Sequence, residues 1–257
     1  MSIDLIRYLA RIGYDGPLQP NAALLHALTQ AHTSAIPFEN LDVLLKRPIR
    51  LELDAVFEKL VNARRGGYCF EQNGLFLQVL QQLGYHARPL AARVRLRAKD
   101  RSEIPVRTHL FIAVELDGQT WLTDVGIGGL SLTGAILWQA DIEQDTPHEK
   151  RRLQYEQGRW FHQAWQNEQW VDVYEFTGEP MLPPDCKVAS WYTSTHPDSS
   201  FMQQRVLARA LPNGGRLALL GNELRRRNQQ GEVTLTIISD DMLPSILQER
   251  FGLPWPL

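Results

Sequence analysis

Hydrophobic positions along the chain follow first a helical and then a two-residue period. Leu5, Ile6, Leu9 and Ile12 recur at helical intervals, and Gly16-Pro17 ends the run. Leu24, Leu25 and Leu28 form a second such face, with Asn21 placed to cap it. Asp54 is placed to cap a third, carrying Val56, Phe57, Leu60 and Val61. A fourth face, Phe76, Leu77, Leu80 and Leu83, is stopped by Gly84. Residues 1–85 are therefore expected to form a compact set of helices.

After Gly84 the spacing changes. Leu90, Ala92, Val94 and Leu96 alternate with Ala91, Arg93, Arg95 and Arg97, which predicts a strand with one polar face. Residues 99–105 are polar and read as a loop. Strands are expected at 108–116 and 120–125 around Asp117-Gly118, a two-residue hairpin signal. Strand-like segments follow at 153–155, 160–162 and 170–176. Leu182-Pro183-Pro184-Asp185 reads as a linker that closes a unit over 86–184.

The remaining residues, 185–257, predict a hairpin of 206–211 and 216–220 around Pro212-Asn213-Gly214-Gly215, then a strand at 233–238. A last helix carries Leu243, Ile246, Leu247 and Phe251. Ser239 or Asp240 caps it, Gly252 closes it, and Pro244 is tolerated in its first turn. Helices, then strands, then a smaller mixed unit make the fold class α+β.

Composition narrows the partners. The net charge is −2 from 27 basic and 29 acidic side chains, and Arg225-Arg226-Arg227 is the densest basic patch, so nucleic acid is not an expected partner. The N-terminal segment mixes charges into its apolar pattern, which argues against a signal peptide, and no apolar run has the length of a membrane span. Two cysteines far apart, Cys69 and Cys186, form no zinc pattern, and no metal is expected. A cytoplasmic protein fits these features.

Register arithmetic connects two distant polar residues. If Asp117-Gly118 is a two-residue loop, Leu116 pairs with Gln119, Phe111 lies opposite Asp124, and His109 lies opposite Gly126. His109 and Asp124 are then diagonal neighbours on one face, about 7–8 Å apart along the backbone, within reach of each other's side chains. A three-residue loop would reverse that parity.

Gly66-Gly67 permits a sharp turn into the fourth helix and places Cys69 near its N-terminus. There the helix dipole and free N–H groups favour a thiolate. The ordinary alternative is a small core residue. A free thiol near pKa 8.5 is only about 3% ionised at pH 7, so a base matters. Cys69, His109 and Asp124 together supply nucleophile, base and orienting carboxylate. Cys186, His148, His162 and His196 have no supporting pattern and read as structural or loop residues.

The run Arg64-Arg65-Gly66-Gly67-Tyr68-Cys69-Phe70-Glu71-Gln72-Asn73 resembles the cysteine motif of the arylamine N-acetyltransferases. Pro37-Phe38-Glu39-Asn40-Leu41 is similar to that family's upstream loop. Thr108-His109-Leu110 and Asp124-Val125-Gly126 resemble its histidine and aspartate motifs. The resemblance is dense over roughly residues 30 to 130.

The resemblance implies an N-terminal helical bundle, a central antiparallel β-barrel-like domain and a C-terminal α/β lid around a cysteine-protease-like catalytic core. It implies Cys69 as acetyl acceptor, His109 as base and Asp124 as its partner, in a ping-pong reaction. Acetyl-CoA would be the donor. Arylamines, arylhydrazines or N-hydroxyarylamines would be the acceptors, as in xenobiotic metabolism, with the enzyme a monomer or homodimer. Phe38, Phe70 and Ile127 would line the acceptor pocket, although each also suits an ordinary core. Family members often carry an aromatic residue where Ile127 stands. Gly126-Ile127-Gly128-Gly129 would let donor phosphates approach the backbone, or would simply end a strand. Ending at Leu257, the chain implies an abbreviated lid. Two other readings stay open: a cysteine hydrolase or amidase with the same triad, and a non-catalytic module that keeps the fold.

Overall fold

In the computed structural model, which describes residues 2–256, the first helical face forms Leu5–Ile12, and the Asp4 carboxylate accepts the Arg7 amide at 3.0 Å. Asn21 Oδ1 accepts the Leu24 amide at 2.8 Å and starts Ala22–Ala35. Both helices pack with Cys69–Gln82 around Tyr8, Leu25, Leu28, Phe76 and Leu80, all fully buried. Each such aliphatic or Phe side chain contributes about 1.5–3 kcal/mol on burial. The third helix differs from the expectation. Leu53–Phe57 is entered from Glu52, which leaves Asp54 inside the first turn, and it continues as a π-helical turn over Glu58–Asn62. Asp54 there still complements the helix dipole.

Seven antiparallel strands make the central sheet, in the spatial order Ile136–Leu137, Gln119–Thr123, His109–Leu116, His86–Val94, Gln169–Phe176, Arg159–Gln166, Arg151–Glu156. Its two edges meet through the chain after Leu137. Gln144 and Arg151 exchange N–H···O bonds of 2.8 Å, and the Asp141 amide donates to Leu153 O at 2.8 Å. The sheet is thus nearly a closed barrel, filled by Leu90, Phe111, Leu122, Leu153, Val173 and Tyr174. Asp117 (φ 51°) and Gly118 (φ 76°) both lie in the left-handed region, as a type I′ turn requires. The turn fixes the pairing of Leu116 with Gln119 and of Ile112 with Thr123, which is the two-residue-loop register.

The second sheet has five antiparallel strands: Phe38–Glu39, Val206–Ala210, Arg216–Leu220, Glu223–Arg227 and Val233–Ile237. Its first strand comes from the helical third of the chain, so residues 38–39 join the N-terminal and C-terminal parts through main-chain bonds. Leu247 and Phe251 of the last helical segment pack on it with Leu207, Leu217 and Ile238. Arg225-Arg226-Arg227 lies on a strand here. The stretch read as a linker at Leu182–Asp185 is instead the N-cap and first turn of a helix, Pro183–Thr195. Proline suits that position because the missing N–H would have no helical partner. No helix among the described residues is long and apolar enough to cross a membrane.

A buried ionic cluster joins the barrel to the second sheet. The Glu149 carboxylate accepts from Arg216 at 3.0 and 2.6 Å and pairs with Arg151 and Arg227. The same guanidinium groups reach barrel carbonyls: Arg151 Nη2 donates to Leu130 O and Arg216 Nη2 to Ser131 O, both at 2.9 Å. Burial opposes the Glu149 charge, but the Arg151, Arg216 and Arg227 charges outweigh it and hold the carboxyl well below its usual range. A depressed carboxyl pKa means stability that is present above about pH 4.3 and lost as acid titrates the folded protein. At pH 7, Glu149→Gln is expected to lower unfolding free energy by about 3–5 kcal/mol, because the buried Arg151 and Arg216 and the half-buried Arg227 lose their charge partner. A urea midpoint equal to the native one would contradict this.

Candidate active site

Cys69 is the first residue of its helix, after Tyr68 in extended conformation (φ −107°, ψ −171°). The turn is held from below. The Tyr68 amide donates to Glu71 Oε2 at 3.0 Å, and the Glu71 amide returns to Tyr68 O at 3.0 Å. Lys59 Nζ sits 2.6 Å from Glu71 and 2.7 Å from Asp42, while Arg65 Nη2 lies 2.8 Å from Glu39 and 3.1 Å from Asp42. Lysine and arginine on three carboxylates anchor the loop before the cysteine. At position 67 a Cβ would stand 2.6 Å from Glu71 Oε2, so only glycine lets the loop lie against this network.

Asp124 is fully buried and its two oxygens have separate duties. Oδ1 accepts from Asn73 Nδ2 at 2.8 Å and from the Gly126 amide at 2.9 Å. Oδ2 faces His109 Nε2 at 2.7 Å. The ladder stops at Ile112–Thr123, so Asp124 continues the face that the hairpin register assigns it, and the two side chains meet. His109 opens its strand opposite Ala92, and its ring lies parallel to that of Phe111 at 6.4 Å and tilted against Tyr174 at 5.4 Å.

With Nε2 committed to Asp124, the other ring nitrogen is left for Cys69, whose sulfur also lies 3.6 Å from Thr108 O. Burial disfavours the charged ring. The Asp124 charge and hydrogen bond, followed by those of Cys69, more than offset it and raise the His109 pKa to about 10. The three side chains are 5%, 1% and 0% exposed in the order Cys69, His109, Asp124, which keeps their interactions out of bulk dielectric.

Gly126 does more than leave space beside His109. A Cβ there would stand 2.8 Å from Cys69 Cα and 2.7 Å from Asn73 Nδ2, so the glycine lets the aspartate loop touch the cysteine helix. Phe38 and Phe70 share one apolar cluster with Cys69, Leu110 and Met181. Ile127 falls in the barrel cluster, with Phe111 and Leu122. Burial, with the nearby charges of Cys69 and Asp185, pushes the half-buried Cys186 thiol up to about 12. His162 is fully buried beside Arg151, His148 bonds Leu211 O at 2.9 Å, and His196 is half-buried and stacked on Tyr192.

Asn73 was not singled out by sequence reasoning. Besides Asp124 it donates to Leu110 O at 2.7 Å and accepts the Val125 amide at 3.0 Å, tying helix, histidine strand and aspartate loop together. Its spacing of one helical turn from Cys69 was the available signal. Gln72 has a similar part: its amide donates to Pro37 O at 2.8 Å, and its carbonyl meets His32 Nε2 at 2.7 Å.

A family model described as N-acetyltransferase matches residues 21–256. The arylamine N-acetyltransferase of Escherichia coli is 39% identical over 97% of this chain and 88% of its own length. The arylamine N-acetyltransferase / N-hydroxyarylamine O-acetyltransferase of Salmonella typhimurium is 40% identical over 91% and 83%. The solved structure of Mycobacterium marinum arylamine N-acetyltransferase in complex with CoA matches with a TM-score of 0.92 at 37% identity, over 97% of this chain and 93% of that one. Similarity of that extent in both sequence and backbone shows that the chain belongs to the arylamine N-acetyltransferase family.

Proposed function

We propose that the protein transfers an acetyl group from acetyl-CoA to small arylamines, arylhydrazines or N-hydroxyarylamines through an acetyl-Cys69 intermediate. The observation that carries this reading is the buried line of Cys69, His109 and Asp124, in a chain whose relatives carry that activity in their names. A relative bound to CoA supports the choice of donor. In this reading residues 1–85 supply the nucleophile, 86–184 the histidine and aspartate, and 185–257 the lid.

In the first half-reaction the Cys69 sulfur attacks the thioester carbonyl and the C–S bond to CoA breaks. The CoA sulfur leaves as a thiolate and takes the proton from the His109 imidazolium. The Cys69 and Phe70 amides, in the first turn, are the natural donors to the oxyanion. The acetylated sulfur is neutral, so His109 loses one of the two charges that held its proton. Its affinity for a proton falls at the step where it must accept one from the attacking amine. The amine nitrogen then bonds to the acetyl carbon, the C–S bond to Cys69 breaks, and the proton moves to His109. Phe38 and Phe70 form apolar walls that keep water from the thioester. Ile127 and Gly126 complete the acceptor side in this reading.

Acetyl-CoA added without acceptor is expected to leave one acetyl group on Cys69, detected by intact mass and peptide mapping. The adduct should be absent in Cys69→Ser and discharged by an added arylamine. Acetate release that is independent of acceptor would instead support the hydrolase.

A second expectation concerns pH. The raised His109 pKa means that its pairing with Asp124 and Cys69 is fully present below about pH 6.5 and fades as pH rises through 10. Iodoacetamide alkylation of Cys69 should therefore change little between about pH 7 and 9. In His109→Gln it should be at least about tenfold slower at pH 7 and should rise with pH. Parallel profiles for both proteins would contradict the pairing.

A further inference from the structure

A cleft of about 550 Å³ lies between the loop after Leu44 and the Pro183–Thr195 helix, outside the line of reacting groups. Its size is that of a small-molecule site. Trp191, on the helix side, leaves 64% of its surface in water. An indole so placed at a cleft mouth offers a flat face to a ring. Lys46 and Lys187 stand at the rim, and among the described residues neither ammonium has an ion-pair partner. The other rim charges are engaged: Arg47 with Asp42 at 3.6 Å, and the Glu52 carboxylate with Arg50 at 3.7 Å. The unbalanced rim charge is therefore positive, next to an exposed aromatic face.

One buried contact links the cleft to the residue before the nucleophile. Its wall residue Ser190 shares a buried hydrogen bond of 2.7 Å with the Tyr68 hydroxyl. Tyr68 directly precedes Cys69 and its backbone starts the cysteine helix. A molecule that fixes the Ser190 face thus bears on the residue that aims the sulfur.

From this we propose that the cleft is a regulatory site for a small aromatic acid, a flat ring carrying a carboxylate, sulfonate or phosphate. The ring lies on Trp191, the anionic group is held by Lys46 and Lys187, and occupancy acts on Cys69 through Ser190 and Tyr68. The site is independent of the acetyl-transfer reading, because its effect is read on the alkylation of Cys69 with no donor or acceptor present.

The test is isothermal titration with naphthalene-2-sulfonate, using 2-naphthylmethanol as the neutral ring and methanesulfonate as the ringless anion. One-to-one binding is expected for the aromatic sulfonate, weakened about tenfold or more in Lys46→Gln/Lys187→Gln and in Trp191→Ala. Saturating ligand should change the iodoacetamide rate at Cys69 at least about twofold in the native protein and not in those variants, whose basal rate stays native. Equal affinity for the neutral ring, or undiminished binding to the variants, would overturn the site. Saturation with no change in alkylation rate would overturn its regulatory role.

Discussion

The buried carboxylate of Asp124 is the constraint on which the site depends. With no solvent to satisfy it, each oxygen needs a protein donor. Asn73 and the Gly126 amide take one oxygen, and the His109 ring takes the other. This division fixes the imidazole by its Nε2 and leaves the second nitrogen turned to the cysteine. The aspartate thus sets both the orientation and the charge of the ring, in surroundings where a single contact is strong.

That local arrangement draws on all parts of the fold. Asn73 comes from the cysteine helix, His109 from the barrel and Gly126 from the loop that the barrel hairpin launches. The ion network of Lys59, Arg65, Glu39, Asp42 and Glu71 holds the helix start. Glu149 and its three arginines bind the far end of the aspartate loop to the second sheet, through the carbonyls of Leu130 and Ser131. The C-terminal unit is therefore wired to the loop that carries Asp124, and one of its sheet's strands is built from residues 38–39.

Some of this was legible in the sequence and some was not, for identifiable reasons. The meeting of His109 with Asp124 could be read because Asp117-Gly118 favours one turn type, and that turn determines the register. The helix beginning at Cys69 could be read from its apolar spacing and the glycines before it. Asn73 escaped notice because its partners at 110, 124 and 125 are distant in sequence, and nothing local marks a buried amide. The pairing of Phe38–Glu39 was hidden because a strand of two residues has no period, and its partner is Val206–Ala210. Pro183-Pro184 suggested a break, since proline stops a helix from inside but starts one equally well. Arg151 and Glu149 carry no sign of burial in a sequence, where charges read as surface.

The ionisation of His109 tests the central claim most directly. Its imidazole can be followed by nuclear magnetic resonance in protein labelled at histidine, with the His109→Gln protein to assign the signal. The ring should remain protonated through pH 8 and titrate near pH 10, as its contacts with Asp124 and Cys69 require. Titration near pH 6.5 would show that the aspartate and cysteine do not hold the proton, and the account of the site would fail.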